Sequence, residues 1–437
     1  MLEHSSSRRD FLKTTAAGSL AAGGLNWHSL VARAETKKEF PVGKAEHCIM
    51  IWLGGGSSQI DTWDPKKMGD AKNKVAGSYY PAIDTAVPGV QVCEHLKMCA
   101  PILDRFNLLR TVHHEVIDEH AAATNRMHTG RPTAGTVVYP SIGSIVAHKR
   151  GAVSENAPAY ILIGYPNVTR GPGFLGSRAG YVYLTSTEAG PSSFTRSPSV
   201  NSKRQQRRED LLSQVRSEYL HRTTGGQTIR EYDATVSAAL RLSGPEFMSV
   251  FNLKEESDDL RNAYGSEFGQ RCLLARRLLQ SGVRFIEVSH NMNFVNGSGW
   301  DTHNAGQLKQ HLLIQDLDRG LATLVLDLEK HNMLDKTLIV VASEFGRPAQ
   351  FDNGGGRGHH GDSFTVAMAG GGLKNGTMIG TTDELGMKIV DRPVSVPDMH
   401  ATICCALGIN PAEELYAAGD RPVPITDRGE PIRELFS

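Results

Sequence analysis

The chain lacks the features that mark several large classes of protein. Lys plus Arg equals Asp plus Glu, at 47 each among 437 residues, so no global charge favours nucleic acid or an anionic membrane surface as a partner. Beyond the N-terminus, no apolar run reaches the roughly 20 residues that a membrane-spanning helix needs. The sequence therefore predicts a soluble mature protein with neither a nucleic-acid partner nor a membrane span.

Cysteines are also few, and no disulfide framework is visible. Four of the six, Cys48, Cys272, Cys404 and Cys405, fall in apolar strand or helix patterns, which favour buried free thiols. Only Cys93 and Cys99 look able to pair. There is no internal repeat or low-complexity tract, and Gly54-Gly55-Gly56 lacks the G-x-G-x-x-G spacing of a dinucleotide-binding loop.

Residues 1–34 are predicted to be an export signal. The run Ser7-Arg8-Arg9-Asp10-Phe11-Leu12-Lys13 precedes an Ala/Gly-rich stretch that ends in Ala32-Arg33-Ala34, which is the pattern of a twin-arginine leader. An ordinary N-terminal helix is disfavoured because three glycines would weaken it. We expect the chain to engage the twin-arginine translocase and to be exported folded, so that the mature domain, residues 35–437, is periplasmic or secreted.

Apolar runs and helical periodicity alternate along the mature chain. The apolar runs predict strands at 47–53, 107–112, 160–163, 283–289, 337–342 and 364–368. Helices are predicted at 119–128, 141–148, 228–242, 266–279, 304–331 and 397–407. This alternation indicates an α/β fold, a mostly parallel sheet with helices on both faces. Residues 164–226, rich in Gly, Pro, Ser and Arg, are predicted to be an inserted, lid-like region.

Acidic residues and histidines follow several predicted strands. Ligands of such sheets bind at the carboxyl ends of the strands, where this chain places Asp61, His120, Asp301, His303, Glu344 and His359. Carboxylate and imidazole donors suit a divalent cation such as Zn²⁺, Mn²⁺, Mg²⁺ or Ca²⁺, and they do not suit thiolate-preferring metals.

Each of these residues also has a purely structural interpretation. Asp301 or Thr302 can cap the helix that follows, and Glu344 can pair with Arg347. Asp61 can form a turn before Pro65, and His120 can be a solvated residue at a helix start. Of the neighbouring residues His113 and His114, at most one can point into a shared site.

The order of the motifs resembles the domain-of-unknown-function 1501 family, a divergent branch of the alkaline phosphatase and sulfatase superfamily. The resemblance covers nearly the whole mature chain. It is carried by Gly55-Gly56-Ser57-Ser58-Gln59-Ile60-Asp61-Thr62-Trp63-Asp64, Met127-His128-Thr129-Gly130-Arg131, Gly299-Trp300-Asp301-Thr302-His303, Ser343-Glu344-Phe345-Gly346-Arg347-Pro348 and Gly356-Arg357-Gly358-His359-His360.

The resemblance implies an alkaline phosphatase-like fold and assigns metal ligands. Asp301 and His303 match the superfamily's Asp…His pair, and His359 matches a later ligand with His360 as its neighbouring candidate. Glu344-Phe345-Gly346 stands where the hydrolases usually have Asp-His-Gly, so Phe345 removes one ligand of a two-metal centre. Asp61 is the nearest match to the first carboxylate.

The nucleophile is the largest departure from that superfamily. Counting back from Thr129-Gly130-Arg131 puts His120 where phosphatases and sulfatases have Ser, Thr or a modified Cys, and no Cys-x-Pro-Ser-Arg signature occurs. His120 would then be a nucleophile, or a ligand or general base for a metal-activated water. Arg131 or Arg347 would clamp an anionic group, although a surface or carboxylate pair is the plainer role for either.

Two functions follow from this pattern. The first is an exported metal-dependent hydrolase that cleaves a phosphate, sulfate or related ester, with a small anionic or glycan ester as substrate. The second is a catalytically inactive secreted protein that keeps the fold to bind a metal, a glycan or a partner protein.

Overall fold

The computed structural model describes residues 39–133, 135–188, 190–191, 199–222 and 226–436. The predicted export signal, residues 1–34, lies outside these residues. The chain divides after Phe40, and Pro41–Ser437 forms one unit that contains every strand and helix described below.

Fifteen strands occur among the described residues. They are β1 His47–Trp52, β2 Ala82–Asp84, β3 Gln91–Cys93, β4 Phe106–His113, β5 Tyr160–Ile163, β6 Val182–Leu184, β7 Phe285–Ser289, β8 Thr337–Ala342, β9 Phe364–Gly370, β10 Met378–Ile379, β11 Thr381–Thr382, β12 Ile389–Asp391, β13 Val394–Ser395, β14 Glu414–Ala417 and β15 Arg421–Pro424.

The same residues contain nine α-helices. They are α1 His120–Thr129, α2 Ile142–Arg150, α3 Ser202–Arg222, α4 Gln227–Leu242, α5 Pro245–Ser249, α6 Asp258–Tyr264, α7 Glu267–Gln280, α8 Gln307–Lys330 and α9 Val396–Ala406. Single-turn 3₁₀ helices include Gln59–Asp61 and Asn304–Gly306.

One nine-stranded sheet organises the fold. Its order is β10-β4-β9-β8-β1-β7-β5-β6, and β13 also pairs with β4. All of its strand pairs are parallel except the two that β9 makes with β4 and β8. The mixed, mostly parallel α/β class expected from the sequence is therefore confirmed.

The most apolar runs occupy the middle of this sheet. Strands β1, β7 and β8 are buried at every position, as expected for parallel strands that are covered on both faces. Ile286 and Val288 of β7 belong to a core cluster with residues of α7 and α8. On the opposite face, Glu287 contacts His128 of α1, and Gly143 of α2 lies against Tyr160 and Phe285.

The region 164–226 contains more regular structure than its sequence predicted. Strand β6 pairs with β5 and extends the sheet, and the 21-residue helix α3 was not expected. No residue of α3 is buried, so it lacks the apolar periodicity by which helices are found in a sequence. Part of the predicted insertion is thus sheet edge and part is an exposed helix.

The cysteines are all buried and free, including Cys93 and Cys99. The possible disulfide between these two residues is therefore not formed, whereas the prediction of buried thiols at the other four positions is confirmed. No helix among the described residues is both long enough and apolar enough to span a bilayer.

Two buried histidines are expected to make the protein sensitive to mild acid. Burial lowers the pKa of His290 to about 3 and that of His400 to about 4, from 6.5. Between these values an unfolded chain binds the protons and the folded chain does not, so stability falls as the pH drops from about 6.5 towards 4. His400→Gln should flatten this fall in a urea-midpoint series with a chelator present. Equal slopes for the two proteins would contradict the assignment.

Candidate metal centre

Three loops meet at one edge of the sheet. Strand β1 lies between β7 and β8, and all three run parallel, so their carboxyl ends coincide. The loop after β1 begins at Leu53, the segment after β7 leads to Asp301, and Glu344 follows β8 by two positions.

Glycines after β1 permit the close approach of the other two loops. A Cβ atom at Gly55 would lie 2.2 Å from the backbone nitrogen of Asp301, and one at Gly56 would lie 2.6 Å from the ring of Phe345. Both residues also have positive φ, at +117° and +92°. The Gly55 amide donates to Glu344 Oε1 at 2.7 Å, which joins the first loop to the third.

The carboxylate of Asp301 is the centre of the site. Its Oδ2 lies 3.3 Å from His120 Nε2, and its Oδ1 lies 3.2 Å from His303 Nε2 and 3.4 Å from His359 Nε2. Arg347 donates to Oδ1 at 2.8 Å, and the Gly297 amide donates to Oδ2 at 2.6 Å. Three imidazoles from distant parts of the chain thus surround one carboxylate.

A second carboxylate orients His120. Glu344 Oε1 lies 2.8 Å from His120 Nδ1, and His120 is the first residue of α1. The Glu344 backbone oxygen lies 2.6 Å from His114 Nε2, so His114, one of the adjacent pair His113 and His114, supports the site from outside. A carboxylate on one ring nitrogen is the usual arrangement for a histidine whose other nitrogen binds a metal.

His303 and His359 face one another. Their Nε2 atoms are 3.0 Å apart, and His303 Nδ1 lies 3.1 Å from Asp352 Oδ2. His303 is 35% exposed at its side chain, which places it on the open side of the cluster. The ring nitrogens that are not oriented by Glu344 or Asp352 therefore point towards the same small space beside Asp301.

These donors fit a divalent cation. Ligand atoms of His120, Asp301 and His359 all lie within 4.8 Å of one another. His120 Nε2 is buried and makes no hydrogen bond of good geometry, which is costly for a polar atom unless something else satisfies it. Two imidazoles and a carboxylate form a common catalytic zinc ligand set.

The electrostatics match a site prepared for positive charge. Burial alone would raise the pKa of Asp301, but contacts with His120, His359 and Arg347 hold it well below its usual range. Burial would likewise lower the pKa of His120, yet its contacts with Asp301 and Glu344 raise it to about 9. Burial lowers the pKa of His359, which favours the neutral form that binds metals.

Aromatic rings enclose one side of the cluster. The buried Phe345 ring lies 5.0 Å from the His120 ring and 4.4 Å from the His359 ring, between centroids. Phe294 lies 5.0 Å from His120. Phe345 therefore fills space directly beside the donors and offers no ligand atom, which fits one cation better than two.

Asp61 lies elsewhere than the sequence predicted. Its carboxylate accepts hydrogen bonds from Arg357 Nε at 2.8 Å, the Tyr79 amide at 2.7 Å and the Ser58 hydroxyl at 2.8 Å. Asp61 and Arg357 are both fully buried, so the carboxylate neutralises an arginine. The structure does not bring Asp61 into the group of donors.

Three more predicted residues are engaged outside the space shared by the imidazoles. Arg131 donates to Asp427 and to the Pro424 carbonyl, and His360 Nε2 lies 3.2 Å from the Ser363 hydroxyl. Arg347 is completely buried, with its guanidinium on Asp301 and on backbone oxygens that include Gly56. These contacts leave neither Arg131 nor Arg347 free to clamp an anion, the role that the sequence predicts for one of them.

Sequence analysis missed three residues of the site: Asp352, Phe294 and His114 as a support. Asp352 sits just before the glycine-rich loop that carries His359, and an acidic residue at that position was the available signal. Phe294 lies in an irregular segment between β7 and Asp301, where no pattern marked it.

Solved structures similar to this chain come from several bacteria. The lipoteichoic acid synthase LtaP from Listeria monocytogenes is 9% identical at a TM-score of 0.42, with 89% of this chain and 76% of that chain covered. A protein in the alkaline phosphatase superfamily from Vibrio parahaemolyticus is 11% identical at 0.40, with 91% and 72% covered.

Alkaline phosphatase from the Antarctic bacterium TAB5 is 12% identical at a TM-score of 0.34, with 85% of this chain and 99% of that chain covered. Scores and identities this low carry no argument about what this chain does. No curated protein matches the chain.

The family comparison is more decisive. The family described as "Protein of unknown function (DUF1501)" matches residues 45–436, which includes β1, every donor of the candidate metal centre and α9. The resemblance noted in the motifs is thereby confirmed, and this chain belongs to the DUF1501 family.

Proposed function

We propose that the protein is a metal-dependent hydrolase of phosphate- or sulfate-type esters. The observation that carries the proposal is the convergence of His120, Asp301 and His359 donor atoms within 4.8 Å, at the sheet edge where α/β enzymes bind their ligands. Supporting carboxylates on His120 and His303 add the orienting contacts that metal sites require.

The donor set narrows the choice of metal. His120, His359 and the more exposed His303 supply imidazoles, and Asp301 supplies a carboxylate. Imidazole-rich sites favour Zn²⁺, whereas Mn²⁺, Mg²⁺ and Ca²⁺ prefer oxygen ligands. A divalent cation bound there would polarise an ester oxygen and lower the pKa of water.

Residues of the chain would supply orientation and a dry environment. Glu344 fixes the ring of His120, while Arg347 and the Gly297 amide fix Asp301. Phe345 and Phe294 exclude water from one side of His120. Such preorganisation reduces the rearrangement needed when charge develops on the substrate.

His120 is better placed as a ligand than as a nucleophile. Its Nδ1 is held by Glu344, and its Nε2 faces Asp301. Nε2 makes no hydrogen bond of good geometry and lies among the donor atoms of Asp301 and His359, so a bound cation would occupy it in preference to a phosphorus or sulfur atom. This arrangement supports attack by water, which agrees with the more economical of the mechanisms considered for His120.

The charge balance favours esters that carry a single negative charge. Among the described residues, Arg347 is the only Lys or Arg that contacts Asp301, His120, His303 or His359, and all of its donor groups are engaged within the protein. A phosphate monoester carries about two charges near neutral pH, whereas a phosphodiester or sulfate monoester carries one. We expect the latter two to be the better substrates.

The proposal is tested with three aromatic esters, bis-p-nitrophenyl phosphate, p-nitrophenyl phosphate and p-nitrophenyl sulfate, after loading with Zn²⁺ or Mn²⁺. We expect metal-dependent hydrolysis with a higher kcat/KM for the diester or the sulfate than for the phosphate monoester. The matched control is His360→Gln, whose imidazole lies outside the donors. A protein that binds metal but hydrolyses none of the esters above the Asp301→Asn background would overturn the hydrolase proposal.

A non-catalytic role is the second candidate. Two observations favour it: the donor groups of Arg131 and Arg347 are engaged within the protein, and His120 stands where related hydrolases have a nucleophile. In that case the site would hold a cation for structure or for binding a glycan or a partner protein. The ester panel separates the two functions directly.

Glu344→Gln is expected to weaken metal binding by about 10- to 100-fold, since the loss of an orienting carboxylate has effects of this size. The substitution preserves side-chain volume and leaves an oxygen for the Gly55 amide. Asp352→Asn is the matched comparison, because Asp352 orients the more exposed His303, and its effect should be smaller. Titration with Zn²⁺ against a competing chelator measures both. Equal Zn²⁺ affinities for wild type and Glu344→Gln would show that Glu344 does not support metal binding.

A further inference from the structure

A basic helix without buried residues, α3, lies outside the candidate metal centre. We propose that α3 docks the protein reversibly on an anionic lipid surface. The proposal does not depend on the hydrolase function, because α3 contributes none of the donors of the metal centre.

Positive charge is concentrated at the start of this helix. Lys203, Arg204, Arg207 and Arg208 lie within six consecutive residues. All four are exposed, and no described residue forms an ion pair or hydrogen bond with their side chains. The helix as a whole has six Lys or Arg against three Asp or Glu, in a chain whose total charge is zero.

One side of α3 already has a partner. Gln205, Glu209, Arg216 and Leu220 are the partly buried residues of the helix, at spacings of four and seven, so they lie on one face. Arg216 on this face pairs with Asp233 of α4 at 2.9 Å. The helix is therefore fixed to α4 along this face, and Arg204, Arg208, Leu211 and Val215 lie on a different face.

Apolar side chains extend the basic segment along an exposed face. Leu211, Leu212 and Val215 are 62%, 48% and 56% exposed. Residues three or four positions apart are neighbours on a helix surface. Arg204, Arg208, Leu211, Leu212 and Val215 follow this spacing, so they lie on one side of the helix. Exposed apolar side chains beside cations can bind a membrane interface, because such binding increases with the apolar area buried and with the attraction of Lys and Arg to anionic lipids.

Charge complementarity favours an anionic bilayer as the partner of this face. Each Lys or Arg near an anionic bilayer increases binding about fivefold, and the three apolar side chains can enter the region between headgroups and acyl chains. A second copy of the chain would bring the same four cations against these, which is repulsive. A soluble polyanion would satisfy the cations but leave the leucines and the valine in water.

The binding should be weak and dependent on salt. Four cations and three apolar residues are too few to anchor a protein permanently, and exposed charges are screened over about 10 Å at 0.1 M salt. The basic segment of α3 would thus give the protein an affinity for anionic membranes, although the net charge of the whole chain is zero.

The test is co-sedimentation of the full chain with vesicles of phosphatidylglycerol mixed with phosphatidylcholine, compared with phosphatidylcholine alone. The first variant replaces Lys203, Arg204, Arg207 and Arg208 with Gln. The matched control replaces four exposed lysines elsewhere, Lys72, Lys97, Lys309 and Lys330, with Gln. Both proteins lose the same charge and keep the same N-terminal residues, so binding through residues 1–34 cancels in the comparison. Circular dichroism checks that all of the proteins are folded.

We expect wild type and control to bind the anionic vesicles, with less binding at high salt, and the α3 variant to bind at least about tenfold more weakly. Leu211→Ser/Leu212→Ser/Val215→Ser should also lose affinity for vesicles while retaining affinity for soluble dextran sulfate. Equal binding by the α3 variant and the control would overturn the proposal. If the triple serine variant bound vesicles as well as wild type does, a soluble polyanion rather than a bilayer would be the partner, and the proposal would fail.

Discussion

Asp301→Asn is expected to abolish tight binding of a divalent cation and to lower ester hydrolysis by on the order of 10³-fold. Among the described residues, only Asp301 forms an ion pair with all three imidazoles of the site. Asparagine keeps the volume and one oxygen but removes the negative charge that a cation needs. Metal content by mass spectrometry and initial rates with the three esters measure the two effects.

Loss of Asp301 also leaves the buried Arg347 without its carboxylate, so a folding defect must be separated from a metal defect. Thermal unfolding of wild type and Asp301→Asn in excess chelator gives the folding contribution alone. His360→Gln serves as the control, because His360 contacts Ser363 rather than the donors. If the Asp301→Asn protein were folded and retained wild-type metal content, Asp301 would not be a ligand.

Asp61→Ala is expected to destabilise the fold by about 3–5 kcal/mol, since the buried Arg357 would lose its partner. Arg357 is 0% exposed at its side chain, donates twice to Asp61 and packs 4.1 Å from the centroid of Phe351. It is also two residues before His359. We therefore expect weaker positioning of the His359 loop, but not the loss of a metal ligand.

A double-mutant cycle makes this interpretation testable. Arg357→Met alone should leave the Asp61 carboxylate buried without its cation and also be destabilising, while the double variant Asp61→Ala/Arg357→Met should recover much of the loss. Urea unfolding in chelator gives the free energies of unfolding. A stable Asp61→Ala protein that binds no metal would instead make Asp61 a ligand.

Much of the sheet was predictable because its central strands are continuous apolar runs. The run at 337–342 coincides with β8, and the run at 160–163 coincides with β5. A strand that is buried on both faces is apolar at nearly every position, so an uninterrupted apolar run in the sequence identifies it directly. The exposed helix α3 left no such pattern, because its stability does not come from an apolar stripe facing the core.

The candidate site was partly predictable for a related reason. Asp301, Glu344 and the first loop follow parallel strands that end at one edge, and the structure brings Asp301, His303, Glu344, His359 and His120 into one connected group. Their functional roles stay predictions. Asp61 follows a strand in the same way, but the cation that it meets is the guanidinium of Arg357, a pairing between residues 296 positions apart.

Adjacent residues show another limit of sequence reasoning. His359 and His360 were both candidates, yet neighbouring side chains in an extended segment point in opposite directions. His360 pairs through its backbone with Gly346 and directs its ring to Ser363. Only the fold decides which of the two faces Asp301.

Export through the twin-arginine pathway stays a prediction, because residues 1–34 lie outside the described part of the chain. It agrees with the proposed metal centre in one respect. A cation held by residues from three distant segments is bound most securely once the chain has folded, and the twin-arginine pathway moves folded proteins.

The most direct test of the central claim is a crystal structure of the purified protein with anomalous diffraction measured on both sides of the zinc and manganese absorption edges. The account predicts one strong peak, about 2.0–2.3 Å from His120 Nε2, His359 Nε2 and a carboxylate oxygen of Asp301. Crystals soaked with Zn²⁺ and Mn²⁺ that showed no peak among these atoms, or a peak bound only by other residues, would contradict it.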